Sequence, residues 1–328
     1  MVNFVRANSF VLSLIAAVIF GWLTSEWGAK GGILHTEVLT KLGVVIIFLA
    51  QGFGLSSQSL VKGFSNARLH IFTQGWISLG VPLCVLGALS IVGNLLPADL
   101  RTALFFLAVL PTTVSSAVAL ISQADGDVAG GVFNTVLSNM MGVLIVPAAV
   151  VWYTATTHSG EMPAVWPIFQ KLCLMLLLPL LVGHVARIPF AKWIAPVKTI
   201  AKPTTQGIIC FIVYAAFAMS FRDKAWETVG ITFAFQAFLA ASILLIGVSF
   251  LVWLSSRWIL QKPEERVTAF FCGSQKSLAV GVPYAAAIFI PGVTETDQSA
   301  VILPLLFYHP IQLFLGAAIL RFRNRLFA

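Results

Sequence analysis

The stretch Phe271–Pro283 reads FCGSQKSLAVGVP. Apolar sequence flanks it on both sides, yet it holds Gly273, Ser274, Gln275, Lys276 and Ser277 in succession. What a lysine means there depends on the rest of the chain. Of its 328 residues, 59% are hydrophobic and only 10% are charged, and the mean hydropathy is +0.94. Soluble domains carry about 25% charged residues. The composition therefore describes a polytopic helical membrane protein whose first partner is the lipid bilayer, since each spanning helix takes roughly 20 mostly apolar residues. Barrel strands would alternate in polarity, and these segments do not.

Working outward from Lys276, ten spans are predicted. They are about Ser9–Thr24, Val38–Leu55, Leu69–Leu89, Arg101–Ser122, Val128–Tyr153, Trp166–Val185, Thr205–Phe221, Ile231–Leu254, Glu264–Phe289 and Gln298–Leu320. The N-terminal MVNFVRANSFVLSLIAAVIFGW has the look of a signal peptide, but no good small-residue cleavage site follows and it reads as the first span. Cys84, Cys173, Cys210 and Cys272 fall in apolar segments without metal-site spacing and read as small buried hydrophobes.

Orientation follows from the basic residues. One side carries Arg6, Lys62, Arg68, Arg187, Lys192, Lys198, Lys202, Arg257, Lys262, Arg266, Arg321, Arg323 and Arg325, which makes 13. The other carries Lys30, Lys41, Arg101, Lys171, Arg222 and Lys224, which makes 6. Both termini are predicted to be cytoplasmic in a multi-pass protein of the plasma (inner) membrane. The basic stretch RIPFAKWIAPVKTIAKP, read as a loop between spans six and seven, is the strongest anchor and fits an anionic membrane face. The net charge of +8 is accounted for by these loops, and no nucleic-acid partner is expected.

Ten spans divide into five and five, and an odd number per half inverts the second half. Inverted repeats with helices interrupted at matching positions are a transporter plan. Span four contains LPTTVSSAV, with Pro111 and five successive weak helix formers; span nine, its counterpart, contains CGSQKSLAVGVP. Proline removes a backbone donor and clashes with the preceding turn, and unwound backbone persists at membrane depth only in protein-lined or hydrated space.

The twelve acidic residues all fall at span ends or in loops, and Lys276 is the one lysine or arginine well inside a span. A charge at that depth costs about 2.5–3.5 kcal/mol on insertion scales and marks a candidate site; the alternative is a lysine that snorkels or packs neutral between helices. Other polar residues lie at similar depth: His70 and Gln74 in span three, Thr112, Thr113, Ser115 and Ser116 in span four, Asn134, Thr135, Ser138 and Asn139 in span five, and Tyr308, His309 and Gln312 in span ten. Singly, each reads as a helix-to-helix hydrogen bond. Together they outline one polar region comprising Thr112, Thr113, Ser115, Ser116, Asn134, Thr135, Ser138, Ser274, Gln275, Lys276 and Ser277, with Gln74, His309 and Gln312 beside it. There is no P-loop, no HExxH and no supported Ser/His/Asp set, so an enzyme is not expected. No organic cofactor or metal pair is expected either.

LHIFTQ, LPTTVSSAVAL, GDVAGGVFNTVLSNMMGVLIVP, FCGSQKSLAVGVP and YHPIQLFLG resemble the bile acid:sodium symporter superfamily, and within it the cotransporter 7-like branch, which includes bacterial members. The resemblance runs from GFGLSSQSL to the tenth span. It implies a single all-α transporter unit over residues 1–328, with ten transmembrane helices in two inverted five-helix repeats and broken helices four and nine crossing near the midplane. A panel domain would comprise about residues 9–55 and 166–221. A core domain would comprise about 69–153 and 231–320, with the solute held between the two. The activity implied is secondary active or facilitative transport of a small organic solute, anionic or amphipathic, by alternating access. The alternative is a non-transporting membrane regulator or scaffold.

In sodium-coupled members two Na⁺ ions sit around the crossing. Carried over residue by residue, Ser116 and Ala117 fall at a Ser-Asn pair, Thr135 matches a hydroxyl and Gln275 matches a glutamine. A glutamate that serves both ions falls at Phe271, and a neutral polar residue falls at Lys276. Gln74 matches the span-three glutamine, but its distance to Pro82 is longer than the family pattern. Any Na⁺ ligands are therefore confined to Ser116, Thr135 and Gln275, with two-site binding expected to be lost or much weakened. Two roles of Lys276 stay open. Its ammonium would take the place of an ion, tying the broken helices through carbonyls and the hydroxyls of Ser116 and Thr135, with uniport or proton-linked transport. Otherwise it would face the cavity and pair with an anionic solute.

Overall fold

A computed structural model describes residues 9–54, 66–157, 165–290 and 296–327. Arg6, Lys62, Glu161, Glu295 and the expected end of span two at Leu55 lie outside the described residues, as do the side chains of Lys171, Cys173, Lys192 and Lys198. Among the described residues all regular structure is helical. The principal helices are α1 (Ser9–Leu23), α2 (Thr36–Gly54), α3 (Ala67–Gly75), α4 (Val81–Val92), α5 (Ala98–Val109), α6 (Ser115–Gln123), α7 (Val128–Thr157), α8 (Val165–Arg222), α9 (Ala225–Ile259), α10 (Pro263–Ser274), α11 (Leu278–Ile288) and α12 (Gln298–Leu320). Among the described residues six stretches are long and apolar enough to cross a membrane: Thr36–Phe53, Ala67–Leu95, Val128–Thr157, Lys202–Arg222, Gly230–Ile259 and Gln298–Leu320. Ser9–Leu23 and Leu174–Arg187 are shorter apolar helices. Without water in the hydrocarbon, only structures that satisfy their own backbone polar groups span a bilayer, and helices do so.

The chain sorts into two compact units. The first comprises Met1–Leu55, Met162–Ala234 and Val282–Leu303. In it, helical residues follow one another from Val165 to Arg222, through the basic stretch expected as a loop. A straight helix of 58 residues would be about 87 Å long. Gly52 of α2 lies against Leu180 and Gly183, whereas Gly43 lies against Ile208. Nine residues of α2 cover about 14 Å, while the 28 from Leu180 to Ile208 would cover about 42 Å if straight. The chain therefore turns back between those two contacts, and two passes of α8 pack on one helix. The close approach relies on small residues, as at membrane helix interfaces generally. A Cβ on Gly183 would run into the Leu49 carbonyl, and one on Gly52 into the Leu180 carbonyl. At the second pass Tyr214 bonds Thr24 Oγ1 at 2.9 Å.

The second unit comprises Ser56–Glu161, Phe235–Gly281 and Pro304–Ala328. Between α3 and α4 the chain makes one π turn, Trp76–Gly80. It comes just before Pro82, which lacks an N–H to donate into the preceding turn. A π turn takes up more residues than an α turn, which absorbs the long Gln74-to-Pro82 spacing seen in the sequence. The turn also aims Trp76 Nε1 at Ser255 Oγ of α9, 3.0 Å away. Asp127 holds the start of α7: its carboxylate accepts from the Gly130 N–H at 2.9 Å, and its carbonyl accepts from Thr268 Oγ1 of α10 at 3.0 Å.

Gly183→Ala is expected to cost about 1–3 kcal/mol through overpacking against Leu49, measured as a lower Tm of the purified protein. Gly207→Ala, on the same helix but facing open space, should leave Tm unchanged or slightly raised.

Candidate functional site

Helix α5 ends at Val109, and Leu110 takes an extended conformation, φ −63° and ψ 144°. The cause is local: Pro111 disfavours the helical region for the residue before it. Helix resumes at Ser115 as α6. In the other stretch α10 ends at Ser274, Gln275 is extended at φ −86° and ψ 146°, and helix resumes at Leu278 as α11. The two non-helical segments meet: the Ser277 N–H donates to the Pro111 carbonyl at 2.9 Å.

Lys276 is buried, with 1% of its surface exposed. Its Nζ donates to the Ala108 carbonyl at 2.6 Å and to the Leu110 carbonyl at 2.8 Å. The first oxygen belongs to the last turn of α5 and the second to the extended residue that caps it, where carbonyls lack intrahelical partners and the negative end of the helix dipole gathers. Charge-assisted bonds of this length are each worth about 1.5–3 kcal/mol. The ammonium of one interrupted stretch thus closes the open carbonyl end of the other.

The remaining polar residues satisfy the backbone around this contact. Asn139 Nδ2 donates to the Thr112 carbonyl at 3.0 Å and to the Thr135 carbonyl at 2.7 Å. Ser116 Oγ donates to Gln275 Oε1 at 3.2 Å and shares a second hydrogen bond with Thr113 Oγ1 at 3.1 Å. Tyr308 OH donates to the Ser274 carbonyl at 2.6 Å, and Gln312 bonds both the N–H and the carbonyl of Lys276. Ser274 Oγ turns back to the Phe270 carbonyl. Thr135 Oγ1 and Ser138 Oγ likewise bond carbonyls one turn earlier in α7. Ser277 is buried, and Ser115 lies exposed at the start of α6.

Asn134 sits in a neighbouring cluster. It accepts from Gln74 Nε2 at both its carbonyl and its Oδ1, and its Nδ2 reaches His70 Nδ1 at 2.9 Å. Since that amide nitrogen donates, the facing imidazole nitrogen accepts. Of the three residues predicted for Na⁺, Ser116 and Gln275 are therefore brought together, while Thr135 bonds the Val132 carbonyl; Gln74 and Asn134 bond each other. The Lys276 ammonium bonds carbonyls and not the hydroxyls of Ser116 or Thr135.

Phe271 is buried in an apolar cluster with Leu120, Ile121, Ala124, Val267, Phe270, Cys272 and Phe327. A small cavity of about 10 Å³ is lined by Phe271, Ser274, Gln275, Ser249 and Gln312 among others, room for about one water. Gln275 Nε2 and Ser249 Oγ are buried there without a hydrogen-bond partner. Sequence reasoning did not single out Ser249, one of four serines in α9. It also missed the carbonyls of Ala108 and Leu110, because backbone oxygens have no sequence signature. Among the described residues no group of three or more His, Cys, Asp or Glu could hold a metal ion.

Apolar helices in number and interruptions closed by buried polar side chains define a multi-pass α-helical membrane protein of the transporter type. The chain belongs to the SBF-like CPA transporter family, whose model matches residues 8–325. It is 30% identical over 318 residues to an uncharacterized protein of Pseudomonas aeruginosa, covering 95% of this chain and 91% of that one. It is 31% identical over 320 residues to the Escherichia coli candidate symporter YfeH, covering 96% and 92%. It is 27% identical over 323 residues to sodium/bile acid cotransporter 7 of Danio rerio, covering 96% and 93%. Family and relatives place the chain among transporters and symporters rather than enzymes.

Lys276→Met should lower stability by about 2 kcal/mol or more, since the Ala108 and Leu110 carbonyls lose a charged donor while buried. Lys276→Arg should not restore it, because a planar guanidinium does not replace a compact ammonium. Thermal unfolding of the three proteins in one detergent checks both.

Proposed function

We propose that the protein is a secondary transporter of a small organic solute, anionic or amphipathic, that works by alternating access in the inner membrane with both termini cytoplasmic, and that its cycle does not require Na⁺. The observation that carries the last point is the Lys276 ammonium, 2.6 and 2.8 Å from two carbonyls at the end of α5. A fixed cation sits beside the residues that sodium-coupled relatives use for ions, and the position of their shared carboxylate is the packed aromatic Phe271. Na⁺ beside it would meet a like charge; at about 4 Å and an effective dielectric near 20 that repulsion is of order 4 kcal/mol.

The donor set fits an ion poorly. Ser116 Oγ and Thr135 Oγ1 are engaged with Gln275 and Val132, and Gln275 has its Oε1 taken by Ser116 while its buried Nε2 lacks a partner. The burial of Lys276 and its two carbonyl bonds also favour the fixed-cation role over pairing with a solute.

Ten helices in two inverted five-helix repeats is the arrangement we infer for the membrane. The six long apolar stretches, the two shorter ones and the interrupted pairs α5–α6 and α10–α11 would make up that number. The Ser277–Pro111 hydrogen bond supports reading the interrupted pairs as helices four and nine crossing. A panel and a core are supported by the two compact units, with the difference that Val282–Leu303 groups with the first. An anionic or amphipathic solute is supported by the printed name of the Danio rerio relative and by helix N-termini at both interruptions, which favour negative charge.

Purified protein should show the same Tm in NaCl and KCl at equal ionic strength, within about 1 °C, since only a ligand that binds the folded state raises it. In liposomes loaded with organic acids, flux should be equal with and without a Na⁺ gradient. A saturable Na⁺-specific rise in Tm, or flux that depends on Na⁺, overturns the proposal.

A further inference from the structure

The extended conformation at 275–277 is not dictated by its own residues. Glutamine and lysine are good helix formers. Pro283, the nearest proline, lies inside α11 after helix has resumed. This differs from Leu110, which Pro111 forces out of the helix. The segment must therefore be held by what packs on it.

Two side chains of α12 do the holding. Tyr308 and Gln312 are four residues apart and so share one face of the helix. Tyr308 OH donates to the Ser274 carbonyl at 2.6 Å. Gln312 Oε1 accepts from the Lys276 N–H at 2.8 Å, and Gln312 Nε2 donates to the Lys276 carbonyl at 3.0 Å. The amide thus bonds one residue's N–H and carbonyl together, as a neighbouring strand would. Gln312 is 2% exposed and Ser274 3%, so water does not compete for these groups. The second hydrogen of Gln312 Nε2 points to His309 Nδ1 at 3.0 Å. A flipped amide would set Oε1 against the Lys276 carbonyl and lose the bond to its N–H. His309 therefore helps fix which way the amide faces.

We propose that Gln312, oriented by His309 and assisted by Tyr308, is the positioning residue that keeps 275–277 out of the helix and so keeps the Lys276 ammonium on the carbonyl end of α5. The proposal deepens the function given above and rests on its reading of Lys276 as a fixed cation. Span ten then acts on the site through backbone geometry alone, touching neither solute nor ion.

The test reads the lysine itself. Purified full-length protein is treated with an acetylating reagent, and modification of each lysine is followed by mass spectrometry, with Lys30 and Lys41, both exposed, as references. The fully buried Cys272 of α10 is probed in parallel with N-ethylmaleimide. In the unaltered protein Lys276 and Cys272 should both be protected. Gln312→Leu should raise Lys276 acetylation at least about tenfold by local opening of the segment, with Cys272 still protected; Tyr308→Phe should raise it less. Unchanged protection of Lys276 overturns the proposal. So does parallel exposure of Cys272, which would mean that Gln312 only supports the fold.

Should Gln312→Leu not yield folded protein, Gln312→Glu answers the same question. It keeps an acceptor for the Lys276 N–H and removes the donor to the Lys276 carbonyl, so the same rise in Lys276 labelling with Cys272 protected is expected and its absence overturns the proposal. The measurement uses neither solute nor Na⁺. A negative result leaves the salt comparison above intact, and a Na⁺-specific Tm shift there leaves this result intact.

Discussion

The site depends on one constraint: buried backbone groups must be hydrogen-bonded, and both interrupted stretches expose such groups where the membrane offers no water. Lys276 meets the largest demand, closing Ala108 and Leu110 with one ammonium. Asn139 closes Thr112, Tyr308 closes Ser274, and Gln312 closes Lys276 at both ends. Each side chain comes from a helix other than the one it repairs. The interruptions are therefore properties of the packed second unit, and only the one at Pro111 also has a local cause.

This explains the paired design of charge and packing. A lysine inside a membrane span is costly when its charge is bare. Here the cost is offset by carbonyls that would themselves be costly if unpaired. Neither half of the arrangement is stable alone. Phe271 fills its place with aromatic carbon, packed against Phe270, Cys272 and Phe327. The cluster anchors α10 from below, as Gln312 and Tyr308 fix its end from the side.

The sequence made the class of the molecule legible, because a long, nearly uncharged chain leaves few alternatives. It also made Lys276 legible, as the one basic residue deep in a span. The partners of that lysine were not legible. In one of its two roles, unspecified carbonyls and the hydroxyls of Ser116 and Thr135 were expected, but short side chains in helices find carbonyls one turn back or a close neighbour, and Thr135 does the former while Ser116 turns to Thr113 and Gln275. The true acceptors are main-chain oxygens, which every residue carries. Gln312 and His309 stood out as polar residues in span ten, yet nothing in YHPIQ announces a two-point grip on the backbone of residue 276. The basic stretch between spans six and seven was read as a loop from its prolines and charge, whereas its backbone is helical. The π turn before Pro82 was visible only as an unexplained spacing.

Lys276 also has a consequence for how the carbonyl end of α5 responds to its surroundings. A dissolved cation occupies such a site according to its concentration on either side of the membrane. A tethered ammonium is present at an effective concentration set by the side chain that carries it, high for a short tether and independent of bulk salt. The junction between α5 and the 275–277 segment is therefore insulated from the ionic composition of both compartments. On the proposed reading, a change in this junction would come from moving helices and not from a change in salt.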